Sequence, residues 1–442
     1  MSKGKQMKII SLLLACTIMY GCSTTPKTID YLTPFSEACE TINSPDDSYN
    51  DVNKVWKAIN DYYNKEEYKG KRKLVVFMDG TGNTKVDKTN VWKLYKLSLQ
   101  QACTGASPVI PYYDKGVGAK FFDFVTGGFS GSGASLNIRQ AYRFLVQSYN
   151  KGDEVFIFGF SRGAFTARSL NGMLYYVGLL KRDGIESAWY DFMPFITTLH
   201  STVGDLYKSY HIHDDGTPYF LKDTLPNSIS KAKESLGNVN ITTPPPFMVK
   251  AIGVFDTVPA LGLFWDAEPD NHRLGLYAHK GVHAISLDEQ RKAFQLLRFN
   301  NTDTGWGLSA PKEVFFPGVH SNVGGGYNLK NGLSKLSLDW MISQFSTYRV
   351  FPDNMASYSC ESLGLPCEAG ELKDEFFKSK KLRLQHRWPK DGDYIHESVF
   401  CRQLLNLPSG VSHPIREKNG KYETINLKKR SIYSIESYKC AP

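Results

Sequence analysis

The chain has 442 residues, 41% of them hydrophobic and 22% charged, which supports a large core and excludes a disordered polar protein. Its net charge is +9, and Lys3, Lys5 and Lys8 contribute part of that from the extreme N-terminus. The remainder is too modest and diffuse for a nucleic-acid-binding protein and suits a protein that meets anionic lipid surfaces.

The first segment, "MSKGKQMKIISLLLACTIMYGCSTTPKT", has a basic start, an apolar stretch from Ile9 to about Tyr20, and then Gly21-Cys22-Ser23. A basic region followed by a short apolar one reads as a secretory signal, and it is short for a membrane span. A small residue before a cysteine, followed by a polar Ser/Thr-rich chain, resembles the lipobox of bacterial lipoproteins. Residues 1–21 are then a signal peptide and Cys22 is the lipidated first residue of a tether over 22–50. Met19 and Tyr20 are not the favoured residues of that box. Leu13-Leu14-Ala15-Cys16 fits it better locally but leaves a very short apolar region. An uncleaved anchor and an ordinary cleaved signal are the other readings. Ser23 after the cysteine favours the outer membrane, so the expectation is a bacterial envelope lipoprotein held to the membrane by its lipid.

Six further cysteines, Cys39, Cys103, Cys360, Cys367, Cys401 and Cys440, form an even set consistent with disulfides in an exported chain. Four of them lie in the last fifth of the sequence, which reads as a stapled C-terminal region. Their pairing is open, scattered buried thiols are the alternative, and no CxxC metal pattern is present.

Along the chain, a helix is predicted over Val52 to Asn64. A buried strand over Leu74 to Met78 runs into the tight loop Asp79-Gly80-Thr81-Gly82-Asn83. "NVWKLYKLSLQQA" has helical spacing, "SPVIPYYDKGVGA" reads as a strand ending in a glycine loop, and "LNIRQAYRFLVQSYN" as an amphipathic helix. "VFIFGFSRGAFTA" is a strand, a turn and a helix. After a mixed aromatic region and Pro244 to Pro246 come the strand "FMVKAIGVFD", a helix over "LDEQRKAFQLL", the strand "KEVFFPGVH", a glycine loop, and the helix "LSKLSLDWMISQF". Strands alternating with helices predict an α/β fold, with a mostly parallel central sheet covered on both faces. The expected domains are a catalytic unit over 51–350, with a possible cap insertion at 180–246, and a C-terminal extension over 351–442 packed on the core.

The chemistry begins at Gly159-Phe160-Ser161-Arg162-Gly163. A Gly-x-Ser-x-Gly pattern is weak alone, but between an apolar strand and a helix it meets the requirement of a nucleophile elbow. The turn is strained and crowded, so Gly159 and Gly163 leave room while Ser161 projects above the carboxyl end of the sheet. The N–H of Arg162 then faces a developing oxyanion. A serine needs a base, and the base an orienting carboxylate. Asp256 stands at the end of a buried strand in "VKAIGVFDTVPALG", and His320 stands just past another in "EVFFPGVHSNVGGGY". The order Ser, acid, His is the one this architecture uses. His279 and His283 are rival bases. Asp79 is a weaker rival acid, because it precedes the serine. Its loop, through the backbone of Gly80 and Thr81, is better suited to completing an oxyanion hole. A phosphate loop is disfavoured there, since no GxxxxGK[ST] pattern exists.

The blocks "FMDGTGN", "YYDKGVG", "LNIRQAYRFL", "GFSRGAFTARSLNGML", "GVFDTVPALG", "HAISLDEQRKAF" and "FPGVHSNVGGGY" resemble, in order, the landmarks of the Tle-type phospholipase effectors. More specifically they are similar to the first class of type VI secretion lipase effectors, an α/β-hydrolase family, over roughly Lys71 to Phe345. The resemblance implies a triad at Ser161, Asp256 and His320, and phospholipid ester hydrolysis with neither metal nor cofactor. Two departures stand out. Asn322 replaces the Asp that the family usually carries after His-Ser, and injected effectors lack the signal peptide read here.

The expectation is therefore a serine esterase acting on phospholipids or other acyl esters. The alternative is a catalytically weak envelope lipoprotein that uses the scaffold to bind lipid or a protein partner, and an esterase acting on carbohydrate or peptidoglycan acyl groups is a third reading. "AWYDFMPFITTLH" reads either as an acyl-binding surface or as a core helix. "KSKKLRLQHRWPK" and "LKKRS" read either as headgroup contacts or as solvated basic faces.

Overall fold

A computed structural model describes residues 35–40, 49–80, 83, 87–116, 132–180, 247–259, 275–291, 294–299, 310–327, 332–353, 367–372, 387, 389–390 and 392–404. It also describes short strands at 210–212, 218–220, 241–242, 414–418, 421–424 and 434–436. The signal segment, Cys16, Cys22, Thr81, the apolar stretch proposed for the cap and most of the basic C-terminal runs lie outside the described residues.

The centre is an eight-stranded sheet. Its strands are β1 (Lys73–Met78), β2 (Val109–Asp114), β3 (Glu154–Phe160), β4 (Ala251–Phe255), β5 (Gly281–Ser286), β6 (Lys312–Phe316), β7 (Tyr394–His396) and β8 (Ser434–Glu436). They lie in the order β8-β7-β6-β5-β4-β3-β1-β2, and every neighbouring pair is parallel. This is a parallel α/β sheet with helices on both faces. The short, near-continuous apolar runs of β1, β3 and β4 follow from burial on both sides. β7 and β8 show that the C-terminal region supplies two strands of the sheet itself.

Among the described residues the α-helices are α1 (Phe35–Glu40), α2 (Tyr49–Tyr62), α3 (Asn90–Cys103), α4 (Ser132–Ser148), α5 (Arg162–Val177), α6 (His320–Gly324), α7 (Leu333–Phe345) and α8 (Ser398–Leu404). Strand pleating assigns two layers, because successive side chains point to opposite faces. Tyr113 meets Trp92 and Tyr95 of α3, while Phe158 meets Phe345 of α7 and stacks on Phe77. Tyr112, one residue away, stacks on Phe144 of α4. Thr89 caps α3 by accepting the Trp92 N–H at 3.1 Å.

Two expectations fail between β4 and β6. β5 forms where no strand was predicted, and "LDEQRKAFQLL" is not a helix: residues 287–291 and 294–299 are irregular. A helix would turn one polar face to water, whereas Asp288, Glu289 and Arg291 are all buried here. Asp288 Oδ2 accepts the Gly318 N–H at 2.6 Å and Glu289 Oε2 accepts the His320 N–H at 3.2 Å. Tertiary hydrogen bonds to the loop after β6 replace the helical ones.

Cys39 and Cys103 form a disulfide that ties α1 to the end of α3. Cys367 and Cys401 are disulfide-bonded as well. The first bridge spans 64 residues, and a loop of that size stabilises the fold by about 4 kcal/mol through the entropy of the unfolded chain. The pair Cys39→Ala/Cys103→Ala is expected to lose that amount in urea unfolding. A loss below about 1 kcal/mol would show that the bridge holds only a peripheral helix.

Candidate active site

The order of the sheet reverses at β1, whose neighbours are β2 on one side and β3 on the other. In open α/β sheets the crevice at such a reversal, beyond the carboxyl ends of the strands, is where ligands bind. Asp79 and Gly80 leave β1 there, Ser161 leaves β3, Asp256 leaves β4 and His320 follows β6.

Ser161 sits between β3 and α5 with φ 60° and ψ −128°, a backbone conformation that non-glycine residues rarely occupy. Its neighbours must give way. A Cβ on Gly163 would lie 2.3 Å from the carbonyl oxygens of Met78 and Asp79, and one on Gly159 would lie 2.7 Å from Ala164 Cα. Both glycines are therefore needed for close approach of backbone, while the strain falls on the serine. The turn is secured by the Ser161 N–H donating to the Phe255 carbonyl at 3.0 Å.

His320, Ser161 and Asp256 form one hydrogen-bonded chain. His320 Nε2 is 2.7 Å from Ser161 Oγ, and His320 Nδ1 is 2.6 Å from Asp256 Oδ2. All three are buried, and Asp256 also has a positive φ of 42°. The Asp256 carboxylate accepts from the Ser286 N–H at 2.9 Å, the Ser286 hydroxyl at 2.8 Å and the Arg387 guanidinium. Burial alone would push Asp256 up, but Arg387, His320 and the Ser286 N–H outweigh it and hold the carboxyl well below its usual range. His320 lies between the rings of Phe160 and Phe294, each with its centroid 4.7 Å away. Burial lowers its pKa, against the upward pull of Asp256 and Glu289, and so favours the neutral imidazole that can take a proton.

The rival residues are used elsewhere. His283 lies within β5, donates from Nδ1 to Glu313 at 2.9 Å, and accepts the Thr257 N–H at Nε2 at 3.1 Å. It pins the residue after Asp256 and is not in contact with Ser161. The His279 N–H donates to the Val249 carbonyl, which ties it to the β4 side of the sheet. Asp79 accepts from the Thr89 hydroxyl at 2.5 Å, the Tyr113 hydroxyl at 2.8 Å and the Gly80 N–H at 2.7 Å. Burial raises its pKa to about 6, and these donors restrain the rise. The Gly80 amide is thus engaged by Asp79, although Gly80 itself stands against Ser161: a Cβ there would lie 3.1 Å from the serine Cβ.

His320 opens the one-turn α6 rather than lying in a loop. Asn322 shapes that turn. Its Oδ1 accepts the Val319 N–H at 3.2 Å, and its Nδ2 donates to the Glu371 carbonyl at 3.1 Å. An aspartate could make the first bond and not the second, so the bond to Glu371 accounts for an amide at this position. Four contributors escaped the sequence reading: Ser286, Asp288, Glu289 and Arg387.

Residues 72–344, more than half of the chain, match the family model described as T6SS, phospholipase effector Tle1-like, catalytic domain. The uncharacterized protein YEL023C of Saccharomyces cerevisiae is 28% identical over 251 residues, covering 52% of this chain and 33% of that protein. This chain therefore spans about a third of the length of the curated relative it matches. Among solved structures, an uncharacterized protein from Pseudomonas aeruginosa is similar at TM-score 0.38 and 17% identity, covering 69% of this chain and 49% of its own. The Tle1 effector bound to the VgrG spike of the type 6 secretion system is similar at TM-score 0.29 and 18% identity, covering 58% and 51%.

Proposed function

The chain belongs to the Tle1-like phospholipase effector family, and from that membership we propose that it is a serine hydrolase cleaving the carboxylic ester bonds of phospholipids. The observation that carries the reading is the unbroken chain from Ser161 Oγ through the His320 ring to Asp256, set on a strained elbow at the carboxyl end of the sheet. In this reading Ser161 Oγ attacks the ester carbonyl carbon while its proton passes to His320 Nε2. The tetrahedral oxyanion collapses, the bond to the leaving alcohol breaks, and that alcohol takes the proton from His320. Water, activated by the same imidazole, then releases the fatty acid and restores the serine.

Asp256 keeps the proton of the neutral ring on Nδ1, so that Nε2 faces the serine as an acceptor. The Arg162 N–H, first in α5, is the oxyanion donor on which the reading relies, aided by the positive end of that helix. The Gly80 amide joins it only on release from Asp79, and Thr81 lies outside the described residues.

The lowered pKa of His320 fixes the sign of the pH dependence. The base stays neutral below the ordinary histidine value of about 6.5, so the acid limb of kcat/KM is expected below that pH. A midpoint above about 7 would contradict this environment for the base.

Phosphatidylglycerol and phosphatidylethanolamine vesicles test the reading. Wild type is expected to release fatty acid and lysophospholipid, and Ser161→Ala to release neither. A folded wild type inert on every phospholipid and short ester would favour the lipid-binding alternative.

A further inference from the structure

The matched family segment ends at residue 344, yet one group that touches the proposed acid comes from far beyond it. Arg387 belongs to the basic run "KSKKLRLQHRWPK", which reads in sequence as a surface feature. Its side chain is only 5% exposed. Nη1 donates to Asp256 Oδ1, to the Ser286 hydroxyl oxygen and to the Ser286 carbonyl at 3.2 Å, and Nη2 donates to the Phe294 carbonyl. One guanidinium thus joins the end of β4, the end of β5 and the segment leading to β6.

We propose that Arg387 is a positioning residue that makes the C-terminal region part of the catalytic centre, by fixing Asp256 and the Ser286 hydroxyl in the arrangement that orients His320. The proposal rests on the serine hydrolase reading above. Asp256 has no exposed surface, and a buried carboxylate needs full pairing to stay ionised. Its Oδ2 is shared by the imidazole and the Ser286 hydroxyl. That hydroxyl has a single proton, and the arginine bond to its oxygen turns the proton toward Asp256. Without the guanidinium the hydroxyl is free to rotate, Oδ1 keeps only the Ser286 N–H, and the carboxylate that aims the ring is loosened.

The charges around the ring set a second expectation. The imidazole is faced by Asp256 from the end of β4, by Glu289 and Arg291 from the segment after β5, and by Ser161 from the elbow. The rings of Phe160 and Phe294 cover it. Arg387 partly neutralises Asp256 without touching the ring. Its removal leaves the carboxylate's full charge to favour imidazolium, so the acid limb moves to higher pH.

The experiment compares wild type, Ser161→Ala, Arg387→Gln and Arg387→Lys in the full chain, with kcat, KM and the pH profile of p-nitrophenyl butyrate hydrolysis. Arg387→Gln is expected to lower kcat roughly 10- to 100-fold at unchanged KM and to raise the acid limb by about one pH unit, with Arg387→Lys in between. An unchanged kcat and profile in Arg387→Gln, with Ser161→Ala inactive, would overturn this proposal and leave the hydrolase reading standing. A uniform loss with no movement of the profile, and no recovery in Arg387→Lys, would mark a purely structural residue and overturn it as well. If Arg387→Gln does not fold, Arg387→Lys decides alone: a raised acid limb supports the proposal and a wild-type profile rejects it. A wild type without turnover would remove the hydrolase reading and this proposal together.

Discussion

Ser161→Ala is expected to reduce ester turnover by about six orders of magnitude, the loss seen when the attacking atom of a triad is removed. The fold should survive the change. The hydroxyl makes one bond, to His320, and alanine accepts the backbone conformation no worse than serine does. The buried imidazole loses one partner at Nε2, so the unfolding free energy in urea should fall by no more than about 1 kcal/mol. Activity within tenfold of wild type in a folded Ser161→Ala protein would remove Ser161 from the chemistry.

Asp256→Asn is expected to cost about 10⁴-fold in kcat and, unlike the serine change, to destabilise the fold as well. An amide nitrogen facing His320 Nδ1 forces that atom to become the acceptor, which puts the ring proton on Nε2, where the serine proton has to go. The amide also leaves the Arg387 guanidinium buried without its charge partner. Breaking one side of such a pair costs about 3–5 kcal/mol. The two changes therefore have different signatures. Ser161→Ala is inactive and stable, whereas Asp256→Asn is nearly inactive and unstable in urea unfolding. An Asp256→Asn protein of wild-type stability would mean that the Arg387 contact contributes little.

Local pattern carried much of this fold. Leu333 to Phe345 was readable as a helix to the residue, and β1, β3 and β4 as short apolar runs, because each is decided by the burial of neighbouring side chains. Ser161 was readable because strand, glycine spacing and helix all act within a dozen residues. Asp256 and His320 needed only their places at strand ends.

What local pattern could not show is set by contacts across the chain. β5 hid because its histidine looked like a candidate base, while in the structure His283 is a buried, paired member of the strand. The segment after it has helical spacing, but Asp288 and Glu289 turn inward to hold Gly318 and His320, the turn into α6 and its first residue. Arg387 had no signal at all: a basic residue among other basic residues gives no hint that a buried carboxylate is waiting for it. Asn322 shows the converse: it stood out in sequence as a departure two residues from His320, and its amide donates to the backbone carbonyl of Glu371.

The proposed role of Ser161 is that of a nucleophile activated by His320. Treatment of the full chain with a fluorophosphonate probe, followed by peptide mass spectrometry, tests this directly. The expected result is a single adduct on Ser161, formed with loss of fluoride and absent in His320→Ala. An adduct on another residue, or ester hydrolysis that continues with Ser161 unlabelled, would contradict it.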